Sequence, residues 1–383
     1  MVLNKEDKNY KQCSISVMDN IADPNISFDK KGICNYYYEY QEKEKKVYKG
    51  EEGKKRLQAI VEKIKGASKG KKYDCITGVS GGVDSTYVAL QMKKLGLNPL
   101  IVHFDNGWNS ELAVKNIENI INRLAFDLYT LVVDWNEFKD IQLSFIKASV
   151  VDIETITDHA IIATLYKLAV EKNIKYVISG ANIVTEATLP GYWIFNKTDH
   201  INIMDIHKKF GSVKLKTFPF FNTKLKKQVE LRGIESFDIL NNMPYVKSEV
   251  KNTIIEELGW RDYGGKHYES IFTRFYQGYI LPEKFHIDKR KAHLSNLIFS
   301  GQISKKEAVE ELDKPIYHAA QLKIDKDFVL KKLELTNTEF ENFIRKPRME
   351  HNDFATEKSF YERFPALTAL KPVVRFTKRL LTN

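Results

Sequence analysis

Four short apolar runs punctuate the middle of the chain, at residues 73–79, 99–104, 128–133 and 175–178. They read as strands. Runs of nearly unbroken apolar character predict strands buried on both faces, hence a parallel sheet. Between the second and third runs, Ser110 is placed to cap a helix whose apolar face is Leu112, Ile117, Ile120, Ile121 and Leu124. A further helix is expected from about Asp158 to Glu171, leading into the run that ends at Ser179-Gly180. Strands alternating with helices predict an α/β fold, a parallel twisted sheet with helices on both faces. Ligands of such sheets bind beyond the carboxyl ends of the strands, so the segments after Val79, Phe104, Val133 and Ile178 are expected to converge on one pocket.

Outside this core the pattern changes. Residues 1–50 are polar and tyrosine-rich and form an N-terminal segment; residues 51–240 hold the sheet domain. From 241 to 336 the pattern is helical and charged, and 337–383 reads as an extension with weak periodicity. At 383 residues the chain is long enough for two or three domains. No apolar run approaches transmembrane length and the first residues lack the apolar core of a signal peptide, so a cytoplasmic protein without membrane insertion is expected. Three cysteines, Cys13, Cys34 and Cys75, argue against a disulfide scaffold. The net charge of +10 invites a nucleic-acid reading, but the lysines are dispersed among acids, with no basic stripe interleaved with aromatics. No nucleic-acid partner is expected.

The first strand run breaks into Ser80-Gly81-Gly82-Val83-Asp84-Ser85 and continues as a helix-like segment. Glycines let backbone N–H groups close on an anion, the two serines add hydroxyl donors, and the following helix points its positive end at the same place. This is a cradle for polyphosphate. Asp84 is compatible with it when a divalent cation stands between carboxylate and phosphates. A second informative stretch, residues 179–186, offers Gly180 for close backbone approach, Asn182 for amide hydrogen bonds and Glu186 as a second carboxylate. Farther on, a glycine pair precedes Lys266, with Arg274 two helical turns beyond. Both are candidate cations for phosphate oxygens or departing charge.

Ser-Gly-Gly-x-Asp-Ser resembles the PP-loop of the ATP pyrophosphatase superfamily, which splits ATP between its α and β phosphates. The loop is not a Walker A motif, which needs a lysine before its Ser or Thr. The resemblance implies that residues 80–85 hold the phosphates, that Asp84 and Glu186 bind Mg²⁺, and that Phe104 lies against adenine. It also places Asp105, Asn106 and Trp108 toward the ribose or acceptor and Asn182 toward the substrate; His159, opening a helix that faces the same pocket, reads equally as a substrate contact or as a satisfied structural histidine.

Across residues 17–302 the chain is similar to the N-acetyl sugar amidotransferase family, PP-loop enzymes that build acetamidino groups on bacterial surface sugars, in O-antigen uronic acids and in pseudaminic acid of flagellin glycans. The resemblance is carried by Ala22-Asp23-Pro24-Asn25-Ile26-Ser27-Phe28-Asp29, Gly32-Ile33-Cys34-Asn35, Phe104-Asp105-Asn106-Gly107-Trp108-Asn109-Ser110 and residues 264–274. Many relatives carry two Cys-x-x-Cys pairs near the amino terminus. Here Ser16 and Tyr37 stand at the second position of each pair, beside Cys13 and Cys34, so the zinc-ribbon-like segment is degenerate. Two thiolates do not make a closed tetrahedral site; no zinc is expected, and Tyr36, Tyr37, Tyr38 and Tyr40 are expected to hold the segment by packing.

The family implies transfer of AMP to an acetamide oxygen and attack by ammonia, with Lys266 or Arg274 stabilising the transferring phosphate. None of the three cysteines is placed as a glutaminase nucleophile, so a separate glutaminase and a cyclase-like channelling subunit are implied as partners. Rival readings are a tRNA-modifying PP-loop enzyme of lysidine or thiouridine type, and a non-catalytic nucleotide-binding scaffold.

Overall fold

The computed structural model describes residues 7–265, 268–365 and 368. Five strands form one sheet: β1 (Cys75–Gly78), β2 (Pro99–Asp105), β3 (Asp127–Val132), β4 (Tyr176–Ser179) and β5 (Glu235–Asp238). Their order is β3-β2-β1-β4-β5 and every pair is parallel. The chain therefore runs outward from β1 to β3, returns to β4 beside β1, and runs outward the other way to β5. The reversal falls between β1 and β4, where Thr77 is in register with Ile178.

Alternation along the strands divides the core between the two faces. Cys75, Val79 and Ile101 pack with Val88, Leu90, Ile120 and Ile254 on one side, while Ile76, Leu100 and Val102 pack with Ile162, Tyr166, Phe221 and Val229 on the other. The helices Val83–Lys94 and Glu111–Leu124 cover the first face; Thr155–Glu171 and Thr223–Leu231 cover the second. The helix at 111–124 begins as expected, with Ser110 Oγ accepting from the Ala113 N–H at 3.2 Å. The expected helix at Asp158 begins three residues earlier, at Thr155.

One strand departs from the expectation of full burial. β3 is the sheet edge, and its Leu128, Tyr129 and Val132 are exposed. Its apolar run packs only in part, through Leu131 and Val133.

A third and larger core lies beside the sheet. It joins Trp108, Phe138, Phe145 and Trp193 to Phe272, Phe275, Tyr276, Leu330 and Phe340. Through it the helices Ile271–Phe275, Ala319–Leu333 and Asn337–Arg345 close over the β2 end of the sheet. At the amino terminus, Tyr36 and Tyr40 are buried on the helix Asn35–Glu44, and Tyr37 meets Phe299 edge-on with ring centroids 5.5 Å apart. Tyr38, expected to pack with them, is exposed. Among the described residues no helix is long and apolar enough to cross a membrane.

Candidate active site

The loop after β1 sits at the strand-order reversal. Gly81 adopts φ +80°, and a Cβ there would stand 2.8 Å from the Ala113 carbonyl oxygen, so the turn requires glycine. Trp260 Nε1 donates to the Gly81 carbonyl at 2.8 Å and anchors the turn from outside. Within the loop the Ser85 hydroxyl accepts from the Ser80 N–H at 3.3 Å, and the Thr86 hydroxyl donates to the Gly82 carbonyl at 2.6 Å. The helix Val83–Lys94 then starts at Gly82 with no side-chain cap, which leaves its first-turn N–H groups directed at the loop. Backbone geometry thus assembles the loop at residues 80–85.

Two cavities meet at this loop. The smaller, about 430 Å³, lies over the sheet and is lined by Phe104, Asn106, Thr157, Ile161, Ile178 and Gly180 among others. The larger, about 1110 Å³, extends from Asp84, Ser85 and Glu186 to Arg290, His293 and Tyr317.

Among the described residues, Tyr245 and Asn182 hold Asp84. Tyr245 donates its hydroxyl to Asp84 Oδ1, and Asn182 Nδ2 lies 3.4 Å from the same oxygen. Burial, then the charges of Asp84 and Glu186, push the Tyr245 phenol well above its ordinary value, so it remains a donor. Asn182 is fully buried and caps the short helix Ile183–Glu186 through its Oδ1, 2.8 Å from the Thr185 N–H. It positions Asp84 and lines neither cavity. Glu269 adds a further carboxylate, accepting from Ser80 Oγ at 3.2 Å and lining both cavities. Only the fold brings residue 269 to the loop; nothing in its neighbourhood of the sequence signals it.

Several expected contacts lie elsewhere. Trp108 is buried against Trp135, Phe272 and Phe328, with Nε1 donating to Gln142 Oε1 at 3.0 Å, and lines neither cavity. It is a core residue, because the chain turns inward after Gly107. The Asp105 carboxylate accepts from the Gly107 N–H at 2.8 Å and from Asn109 Nδ2 at 3.2 Å, closing its own turn. His159 is fully buried: Nδ1 donates to the Lys197 carbonyl at 2.7 Å and Nε2 accepts from the Phe221 N–H at 3.0 Å. Burial pushes its pKa down to about 4, so it is a neutral structural histidine rather than a substrate contact. Arg274 lines the larger cavity, but its guanidinium is paired with Asp325 at 2.6 and 2.9 Å. Lys266 lies outside the described residues. Asn106, Phe104 and Gly180 do line the smaller cavity.

Residues 269–368 match the family described as LPS biosynthesis protein WbpG-like, C-terminal domain. The matched segment is about a quarter of the chain. It begins at Glu269, the carboxylate on the loop serine, and it runs through residues 303–368, beyond the end of the resemblance read from the sequence. Residues of the matched segment, Glu269 to Gln321 among them, line one side of the larger cavity, and the loop lines the other.

Among curated proteins none matches the chain. Solved structures with a similar fold include an NMN synthetase from Francisella tularensis. It is 13% identical, with 74% of this chain and 97% of that chain covered at a TM-score of 0.33. An NH3-dependent NAD synthetase from Campylobacter jejuni subsp. jejuni NCTC 11168, in complex with the nitrate ion, is 14% identical, with 78% and 99% covered at a TM-score of 0.29. At these scores the strand order and loop geometry carry the fold assignment.

Proposed function

We propose that the chain is an ATP-dependent, AMP-forming amidotransferase that converts the N-acetyl group of a bacterial surface sugar to an acetamidino group. The observation that carries this reading is the shared cavity. Ser80, Asp84 and Ser85 face, across one continuous space, the residues of a domain type named for lipopolysaccharide biosynthesis. A nucleotide phosphate and a sugar precursor then meet in the same place.

In this reading the adenosine occupies the smaller cavity, against Phe104 and Ile178, and the β and γ phosphates rest on residues 80–85. The amide oxygen of the acetamido group attacks the α phosphorus, and the bond to pyrophosphate breaks with its electron pair on pyrophosphate. The activated imidate carbon takes the lone pair of ammonia, a proton leaves that nitrogen, and AMP departs with the C–O electron pair. An acetamide is a poor electrophile; an adenylated one has a good leaving group.

The donor set suits Mg²⁺. Asp84 and Glu186 both line the larger cavity and both act on the same Tyr245 phenol. Magnesium takes one or two carboxylates together with phosphate oxygens and water, which this pair of carboxylates beside the loop can complete. When bound, the ion supplies positive charge against the leaving pyrophosphate. Asp84 is oriented for this by Tyr245 and Asn182, and the loop hydroxyls hold phosphate oxygens. The ammonia source is a separate glutaminase, delivering through a cyclase-like subunit, because Cys75 is enclosed in β1 with its thiol pushed up by burial and Cys13 and Cys34 are buried away from both cavities.

A panel of free and nucleotide-linked acetamido sugars, incubated with ATP, magnesium and ammonium, tests the proposal. One sugar is expected to drive formation of AMP, and tRNA is expected to leave the rate unchanged. Stimulation by tRNA instead would establish a tRNA-modifying enzyme, and nucleotide binding with no AMP from any sugar would leave a scaffold.

A further inference from the structure

Six described residues line both cavities: Ser80, Ser85, Gly180, Glu269, Gln277 and Lys289. Lys289 is the one cation among them. It stands at the start of the helix Arg290–Phe299, between two residues that spend their charges on each other: the Arg290 guanidinium meets the Asp288 carboxylate at 2.8 and 3.1 Å. The Lys289 ammonium makes no hydrogen bond or ion pair with any described residue.

The nearby acids are engaged by other groups. Asp152 accepts from Lys197 Nζ at 2.5 Å and from the Phe195 N–H at 2.8 Å. Asp158 pairs with the same Lys197 at 3.0 Å, and Glu154 accepts from the Thr273 hydroxyl. A lysine enclosed in this way without a bonded partner is costly unless an anion arrives. Consistent with that, burial holds the Lys289 ammonium below the ordinary lysine range, partly offset by Glu154 and Asp152.

Resting on the nucleotide reading above, we infer that Lys289 binds the α phosphate, the group that must lie where the adenosine cavity joins the phosphate loop. Adenosine in the smaller cavity and the β and γ phosphates on residues 80–85 leave the α phosphorus at the junction that Lys289 lines. There a point charge serves both half-reactions. It stabilises negative charge on the α phosphoryl group as pyrophosphate leaves, and again as AMP leaves the imidate carbon. Lysine suits this task, since its ammonium is a compact point charge whose donors rotate.

Equilibrium binding of AMP and of adenosine to the full chain, wild type and Lys289→Met, tests this without knowledge of the sugar. The wild type is expected to bind AMP more tightly than adenosine. The variant is expected to lose about tenfold or more in AMP affinity with adenosine affinity unchanged, and Lys289→Arg to recover part of it. Adenosine binding reports that the variant is folded. Undiminished AMP affinity in Lys289→Met overturns the inference while leaving the nucleotide reading intact; equal loss of AMP and adenosine binding overturns it in favour of a structural lysine. A wild type that binds neither compound removes the nucleotide reading itself.

Discussion

On the proposed reading the chemistry turns on Asp84, and its setting separates charge from shape. Tyr245 and Asn182 hold one oxygen in place, so Asp84→Asn keeps an acceptor for the Tyr245 hydroxyl while removing the charge. AMP formation is expected to fall by at least about 100-fold, with thermal unfolding moved by no more than about 4 °C. Gly81 makes the opposite case. Alanine there meets both a left-handed φ and a carbonyl oxygen at 2.8 Å, so Gly81→Ala is expected to lose about 1–3 kcal/mol in urea unfolding. His159 provides a pH signature. Its folded pKa of about 4 lies below the ordinary 6.5, so the stability it contributes is complete above pH 6.5 and is lost as pH falls toward 4. His159→Gln is expected to flatten that part of the stability curve, by about one proton, without changing nucleotide affinity.

At the scale of elements, what the sequence disclosed was what short-range pattern can carry. β1, β2 and β4 were legible because burial on both faces leaves an apolar run, and the helix at 111–124 because its cap and stripe agree. The edge position of β3 was not legible, since an apolar run does not say how many neighbours a strand has. The cradle was legible because its chemistry is contiguous. Tyr245 and Glu269 were not, because each reaches the loop from far along the chain, nor was Lys289, which lines both cavities from farther still. Trp108 and His159 misled for a related reason: the sequence places them beside pocket-lining residues, but their side chains turn into the core. Arg274 links two elements, tying the helix Ile271–Phe275 to Ala319–Leu333 through Asp325. Burial raises the Asp325 carboxyl, yet hydrogen bonds from Arg274, Tyr317 and Gln321 outweigh it and hold the group below its ordinary value. That contribution is present above about pH 4 and disappears as pH falls through the lower folded pKa. Asp325→Asn, which leaves the half-buried guanidinium without its counter-charge, is expected to cost about 3 kcal/mol at neutral pH and much less at acid pH, as read from urea unfolding at the two pH values.

For the whole molecule, the organising fact is that one cavity is built from two parts. The sheet supplies the strand-order reversal and the loop, while the segment that matches the WbpG-like model supplies Glu269, Lys289 and the far wall. If ammonia comes from a separate glutaminase, as proposed, ammonium salts are expected to support turnover by the isolated chain, and glutamine alone is not. The central claim is that the acetyl oxygen of the sugar is the atom that captures AMP. An acetamido substrate carrying ¹⁸O in its acetyl group, turned over with ammonium and ATP and followed by mass spectrometry, tests it most directly. The account predicts one ¹⁸O atom in the AMP and none in pyrophosphate. Label retained by the sugar, or ADP with labelled inorganic phosphate, would contradict it.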